Sequence, residues 1–111
     1  MPPQPVQRYA TNERDSPIAI WRFNHKVRAI PTGKTLRLEV LAPAIVRWSD
    51  DNWRTVHDTA TRDIHLGVHL ADLPSGTLSD DAAVLFTFYW TAARRWEGVD
   101  FAVRISADAL S

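Results

Sequence analysis

Alternation of apolar and polar residues, with a period of two, is the dominant pattern along this chain. It is clearest over residues 36–40, 84–90 and 101–105, where every second residue is Leu, Val, Ile, Phe or Trp. This period predicts strands that bury one face and expose the other. No long stretch has the i, i+3, i+4 spacing of an amphipathic helix, so the pattern indicates an all-β protein.

Further short apolar runs predict additional strands between turn-forming residues. They lie over 18–23, 27–30, 44–48, 53–57 and 64–70. Turn residues such as the Pro-Thr-Gly of 31–33 and the Ser-Asp-Asp-Asn of 49–52 separate them. Short strands with turn signals every 8–12 residues or so are typical of a sandwich. We therefore predict an immunoglobulin-like antiparallel β-sandwich of seven to eight strands.

The N-terminal residues have a different composition from the rest of the chain. Three of the first five residues are proline, and a polar run follows over 7–16. Proline-rich polar segments are typical of linkers. We expect residues 1–17 to be a linker from a missing upstream domain, and residues 18–111 to form the sandwich.

Charge and cysteine content exclude several classes of function. Lys and Arg together number 13, as do Asp and Glu, so the chain is formally neutral and has no basic footprint for nucleic acid or an anionic membrane. No cysteine is present, which excludes disulfides, thiolate catalysis and zinc–cysteine sites. We see no signal peptide and no apolar run long enough to span a bilayer, so we expect a cytoplasmic protein.

The sequence contains no motif that predicts catalysis. It has no Gly-x-Ser-x-Gly nucleophile motif and no phosphate-binding glycine loop. His65 and His69 are four residues apart on a predicted strand, or about 13 Å, which is too far for one metal ion. Asp50 and Asp51 lie where a turn favours them. We therefore predict no catalytic residue, no cofactor and no metal in this chain.

The five tryptophans are the remaining candidates for function. Trp48 and Trp90 share a strand face with apolar residues, which predicts that both lie in the core. Trp21 packs the first strand onto the sandwich or onto a missing domain. Trp53 and Trp96 lie among charged residues, as exposed sugar-stacking rings would, although interdomain packing would produce the same pattern. A simple hairpin would instead put Trp53 on the same face as Trp48, in the core.

Four stretches of the sequence resemble a known family. They are SPIAIWRFNHK at 16–26, APAIVRWSDDNWRTVHD at 42–58, FTFYW at 86–90 and RWEGVDF at 95–101. Together they resemble the C-terminal domain of bacterial glucoamylase-type enzymes, which are glucan 1,4-α-glucosidases of glycoside hydrolase family fifteen. The resemblance implies a non-catalytic accessory domain whose partner is an upstream catalytic barrel of helices.

A more distant resemblance concerns the hairpin and the last loop. These are similar to starch-binding modules of families twenty-five and twenty-six. In this chain, Arg47 stands where such modules often have a histidine, and Trp53 matches the tryptophan that follows their turn. Trp96 with Glu97 is similar to their tryptophan–acid loop. The resemblance implies weak binding of starch- or glycogen-type α-glucan by Trp53, Trp96, Arg47 and Glu97. The alternative is an interaction module that packs on the catalytic domain or a second subunit without binding sugar.

Overall fold

The computed structural model describes residues 17–107, which form two stacked sheets and confirm the predicted all-β sandwich. The strands are β1 (Ile18–Arg22), β2 (Ala29–Ile30), β3 (Thr35–Val40), β4 (Ala44–Ser49), β5 (His57–Ala60), β6 (Arg62–Asp63), β7 (His69–Leu73), β8 (Ala83–Trp90), β9 (Arg95–Trp96) and β10 (Phe101–Ile105). β2, β6 and β9 have only two residues each, and the other seven strands have four to eight. Residues 1–16 of the predicted linker, and residues 108–111, lie outside the described residues.

The two sheets differ in size, and the described chain crosses between them five times. The smaller sheet has the order β1-β3-β7-β6, and the larger has the order β2-β10-β8-β4-β5, with β9 also paired to β8. Most pairs are antiparallel, as predicted, but β1 pairs with β3 and β2 pairs with β10 in parallel. The chain crosses from one sheet to the other between β1 and β2, which gives each sheet one parallel pair at its edge.

Two predicted strands are largely turns. The strand expected over 53–57 begins only at His57, because the chain first makes a long turn in which Asn52 and Trp53 have φ of 61° and 67°. The strand expected over 64–70 begins at His69. The residues before it form a hairpin tip in which Leu66 has φ of 59° and is 99% exposed. Left-handed backbone ends the alternation of faces that a strand requires.

The core lies between the sheets and is built from the inward-facing residues of each strand. Trp21, Phe86 and Phe88 are at most 1% exposed, and the Trp21 ring meets the Phe86 ring edge-on with centroids 5.1 Å apart. Trp48 is 6% exposed, and its Nε1 donates to Thr59 Oγ1 at 3.0 Å, which satisfies the buried indole. The predicted core position of Trp48 is therefore confirmed, and Trp21 belongs to the core as well.

Trp90 lies at the edge of this core. Its ring stacks on Phe88 with centroids 5.1 Å apart and an interplanar angle of 15°, and its side chain is half-buried. Phe23, just after β1, packs against both rings. The end of β1, the end of β8 and the start of β10 therefore lie together at one end of the sandwich. Pro17 and Ser106 lie near the opposite end. There the Pro17 carbonyl accepts a hydrogen bond from the Thr35 N–H, and the Ser106 N–H donates to the Ile30 carbonyl.

Candidate functional site

The outer face of the larger sheet brings two aromatic rings together. β8 buries Phe88 and Trp90 against the core side, so Tyr89 between them points outward. β9 pairs with β8 in a register that places Trp96 opposite Tyr89. The two rings are 5.1 Å apart at 62°. This edge-to-face geometry is favourable for an aromatic pair and holds the Trp96 ring in place.

Arg47 lies beside these rings and pairs with an acidic residue on β5, the edge strand of the same sheet. The β4–β5 register places Arg47 opposite Asp58, and its Nε and Nη2 donate to the two carboxylate oxygens at 2.9 and 3.2 Å. The hydrogen bond raises the pKa of Arg47 and lowers the pKa of Asp58. The Arg47 Cζ also lies 4.8 Å from the centroid of the Trp96 ring, which is a cation–π distance.

We refer to Arg47, Asp58, Tyr89 and Trp96 as the sheet platform. Trp96 is 45% exposed, and both members of the Arg47–Asp58 pair face solvent. Exposed ion pairs contribute little to stability, so their energetic value to the fold is small. An exposed indole beside a planar charged pair can stack on an apolar ligand face and bond to ligand hydroxyls.

Glu97 follows Trp96 in sequence but lies on the other side of β9. Its Oε1 accepts a hydrogen bond of 2.8 Å from the Nε1 of Trp90, and its backbone N–H donates to the Phe88 carbonyl. Successive residues of a strand point to opposite faces, so Trp96 and Glu97 serve different surfaces. The structure brings Arg47 and Trp96 together, and it places Glu97 in a separate cleft.

This cleft opens at the end of the sandwich where β1 and β8 end. It has a volume of about 680 Å³. Phe23, Val40 and Trp90 line its apolar part. The charged residues that line it are Arg22, Glu39, Arg95 and Glu97, and Arg22 is hydrogen-bonded to Glu39. Ligand pockets typically combine apolar walls with a few polar groups in this way.

Trp53 lies in the turn that follows β4, away from the part of the sheet platform that contains Tyr89. Ser49 precedes that turn, whereas Ile45, four residues earlier, is the partner of Tyr89. Four strand residues correspond to about 13 Å. The Trp53 side chain is half-buried, and its backbone N–H donates to the buried Ser49 hydroxyl at 2.9 Å. Within residues 17–107, the ring that contacts Trp96 is Tyr89 and not Trp53.

The turn that carries Trp53 is organised by two side chains. The Ser49 hydroxyl donates to Asp51 Oδ1 at 2.7 Å, and the same oxygen accepts the Thr55 N–H at 2.8 Å. These bonds lower the pKa of Asp51 to about 2, and the bond from the Thr55 N–H has the largest effect. Asn52 and Trp53 both have positive φ, as the two central residues of a type I′ turn do. Glycine is the usual residue at the position that Trp53 occupies.

Two members of the sheet platform were missed by sequence reasoning. Tyr89 was detectable, because strict alternation over 84–90 places it on the face opposite Phe88 and Trp90. Asp58 was not, because its pairing with Arg47 depends on the length of the 50–56 turn. The strand period predicts which face a residue takes, but the turn sets which residue lies opposite it.

Comparisons with protein-family models, curated proteins and solved structures find no match to this chain. Among residues 17–107, no three His, Asp or Glu side chains are grouped closely enough to hold a metal ion. The same part of the chain forms no helix suited to crossing a bilayer. What the fold and site define is a β-sandwich with an exposed aromatic platform and a separate end cleft.

Proposed function

We propose that this chain is a non-catalytic accessory domain of a glucoamylase-type glycosidase, and that its sheet platform binds starch- or glycogen-type α-glucan. The observation that supports the proposal is the 45% exposure of Trp96 beside Arg47 on the outer face of the larger sheet. Glucose units present apolar C–H faces that stack on an indole, and hydroxyls that bond to guanidinium and carboxylate groups.

We expect this binding to be weak. The Arg47 guanidinium already lies against the Trp96 ring, so part of the indole is covered before any sugar arrives. One exposed indole and one charged pair correspond to a dissociation constant of roughly micromolar to millimolar. Weak binding is still useful in a tethered domain, because it raises the local concentration of polymer at the proposed upstream catalytic domain.

A second candidate function is docking to the catalytic domain or a second subunit without sugar binding. Leu41 and Leu66 favour this alternative, since they are 81% and 99% exposed. Exposed aliphatic side chains are common anchors in protein interfaces, although single ones also occur on ordinary surfaces. Both lie outside the sheet platform, but Leu41 also lines the end cleft, so Leu66 is the residue that tests docking separately.

The test is a titration of the chain with maltoheptaose, followed through the indole N–H signals of the tryptophans in ¹H–¹⁵N spectra. The proposal expects the Trp96 signal to shift while the buried Trp21 and Trp48 signals stay fixed. Trp53 reports through its own signal whether a bound chain extends to the turn. No change at Trp96 with millimolar sugar would exclude glucan binding by the platform.

Two substitutions sharpen that titration. Trp96→Ala removes the stacking ring of an exposed residue, so binding should be lost while the melting temperature changes little. Leu66→Ala is the matched control, because it truncates an exposed apolar side chain outside the platform. If Trp96→Ala leaves sugar binding intact, the platform assignment is wrong; if Leu66→Ala alone weakens a complex with the catalytic domain, docking is the better account.

A further inference from the structure

The cleft at the end of the sandwich is separate from the sheet platform. We infer that it receives the chain end of the same α-glucan whose internal units lie on the sheet platform, an inference that rests on the proposed function. Its volume of about 680 Å³ falls within the range of small-molecule pockets, roughly 300–1,000 Å³. The assignment is supported by the walls, the charges and the position of the cleft.

The walls supply preformed aromatic surface. Phe23 and Trp90 line the cleft, with ring centroids 5.9 Å apart at 42°. Both rings pack against the core, and Trp90 stacks on Phe88. Rings held in this way lose little conformational freedom when a ligand binds, which favours stacking against the face of a sugar ring.

The polar groups of the cleft suit a neutral ligand that both donates and accepts hydrogen bonds. Arg22 and Arg95 provide donors, and Glu39 and Glu97 provide acceptors, so the charges balance. Glu97 is held in place by its 2.8 Å bond from Trp90 Nε1, and a carboxylate retains further acceptor capacity beside one such bond. An anionic or cationic ligand would meet charges of both signs, whereas sugar hydroxyls can bond to both.

The position of the cleft explains why a chain end is the expected ligand. Its apolar floor includes Val40, a core residue that is 2% exposed, so the cleft ends on the core. A chain that enters from the end of the sandwich stops there, so we place a terminal unit of the polymer in the cleft. β9 links the two sites, because it directs Trp96 to the platform and Arg95 to the cleft. In this proposal, one glucan chain bends around this short strand to occupy both surfaces.

The test compares maltoheptaose with β-cyclodextrin, the cyclic glucan that has the same number of glucose units and no chain end. Trp90 and Trp96 report on the cleft and the platform through separate indole signals. We expect Trp96 to respond to both sugars and Trp90 to the linear one alone. If the Trp96 signal shifts but the Trp90 signal shifts with neither sugar, the cleft assignment is wrong and the platform assignment remains supported. If neither indole responds, both proposals fail, and an equal Trp90 response to both sugars contradicts the chain-end assignment.

A pair of arginine substitutions checks that the Trp90 response arises from binding in the cleft. Arg95→Ala should lower the affinity for maltoheptaose roughly tenfold, the loss expected for one charged hydrogen bond. The affinity for β-cyclodextrin should stay unchanged. Arg28→Ala is the matched control, since this exposed arginine lies next to β2 at the opposite end of the sandwich. Equal weakening of both sugars by Arg95→Ala, or no weakening of either, would overturn the cleft assignment.

Discussion

Leu66 occupies the tip of the β6–β7 hairpin in a conformation that leucine rarely adopts. Its φ of 59° lies in the left-handed region, and its side chain is 99% exposed. Left-handed backbone costs an L-residue other than glycine about 1–2 kcal/mol, because Cβ crowds the following carbonyl. Leu66→Gly removes that cost, and with almost no side-chain surface buried there is little packing to lose.

The expected gain follows from two opposing terms. Glycine loses more backbone entropy on folding than other residues do, which offsets about 0.5–1 kcal/mol of the relieved strain. The remaining difference stabilises Leu66→Gly by about 0.5–1 kcal/mol. For a domain of this size, that free energy corresponds to a rise in melting temperature of about 3–6 °C.

Thermal and urea unfolding, followed by tryptophan fluorescence, measure this change. Leu41→Gly is the matched control, because Leu41 is 81% exposed but is not among the described residues with positive φ. It should lose about 0.5–1 kcal/mol through the entropy term alone. If Leu66→Gly destabilises the domain as much as Leu41→Gly does, the tip is not strained and the reasoning is wrong.

Further predictions concern the acidic groups, the turn and the core. The pKa of Asp51 is about 2, and hydrogen bonding to Arg37 lowers that of Asp72. Both folded values lie below the unfolded value of about 3.9, so their stabilisation is present above pH 4 or so and is lost as the pH falls towards 2. Urea midpoints measured across this window should fall less steeply in Asp51→Asn. Ser49→Ala removes a buried hydroxyl that bonds within the turn and should cost about 1–3 kcal/mol in urea unfolding. Phe88→Ala empties a fully buried ring position and should cost about 3–5 kcal/mol, and a calorimetric loss below about 1 kcal/mol would contradict its core assignment.

Strands with one buried face were predictable from alternation alone. β3 and β8 follow the pattern closely, because every second residue in each must face the opposite sheet. The same alternation failed over 64–70, where Ile64, Leu66 and Val68 belong to or flank an exposed hairpin tip. An apolar period of two does not distinguish a paired strand from a tip whose backbone turns, since the difference lies in the hydrogen-bonding partner.

The candidate site was only partly accessible to sequence reasoning. Exposure of Trp96 was foreseeable from its charged neighbours, but its contact with Arg47 depends on three strands being in register. Trp53 gave no sign of a positive φ, because tryptophan does not favour that backbone. Strand geometry separates Glu97 from Trp96, but the sequence predicts a loop and not a strand at these two residues, so alternation of faces is not expected there.

Because β9 is so short, the side chains presented to the sheet platform and to the end cleft depend on the length of the β8–β9 connection. β9 has two residues, and the 91–94 segment joins it to β8, with which it pairs. Removal of a single residue from that segment would rotate the indole of Trp96 inward and the side chains of Arg95 and Glu97 outward. Selection on this domain would then act on loop length as strictly as on the identity of the aromatic residue itself.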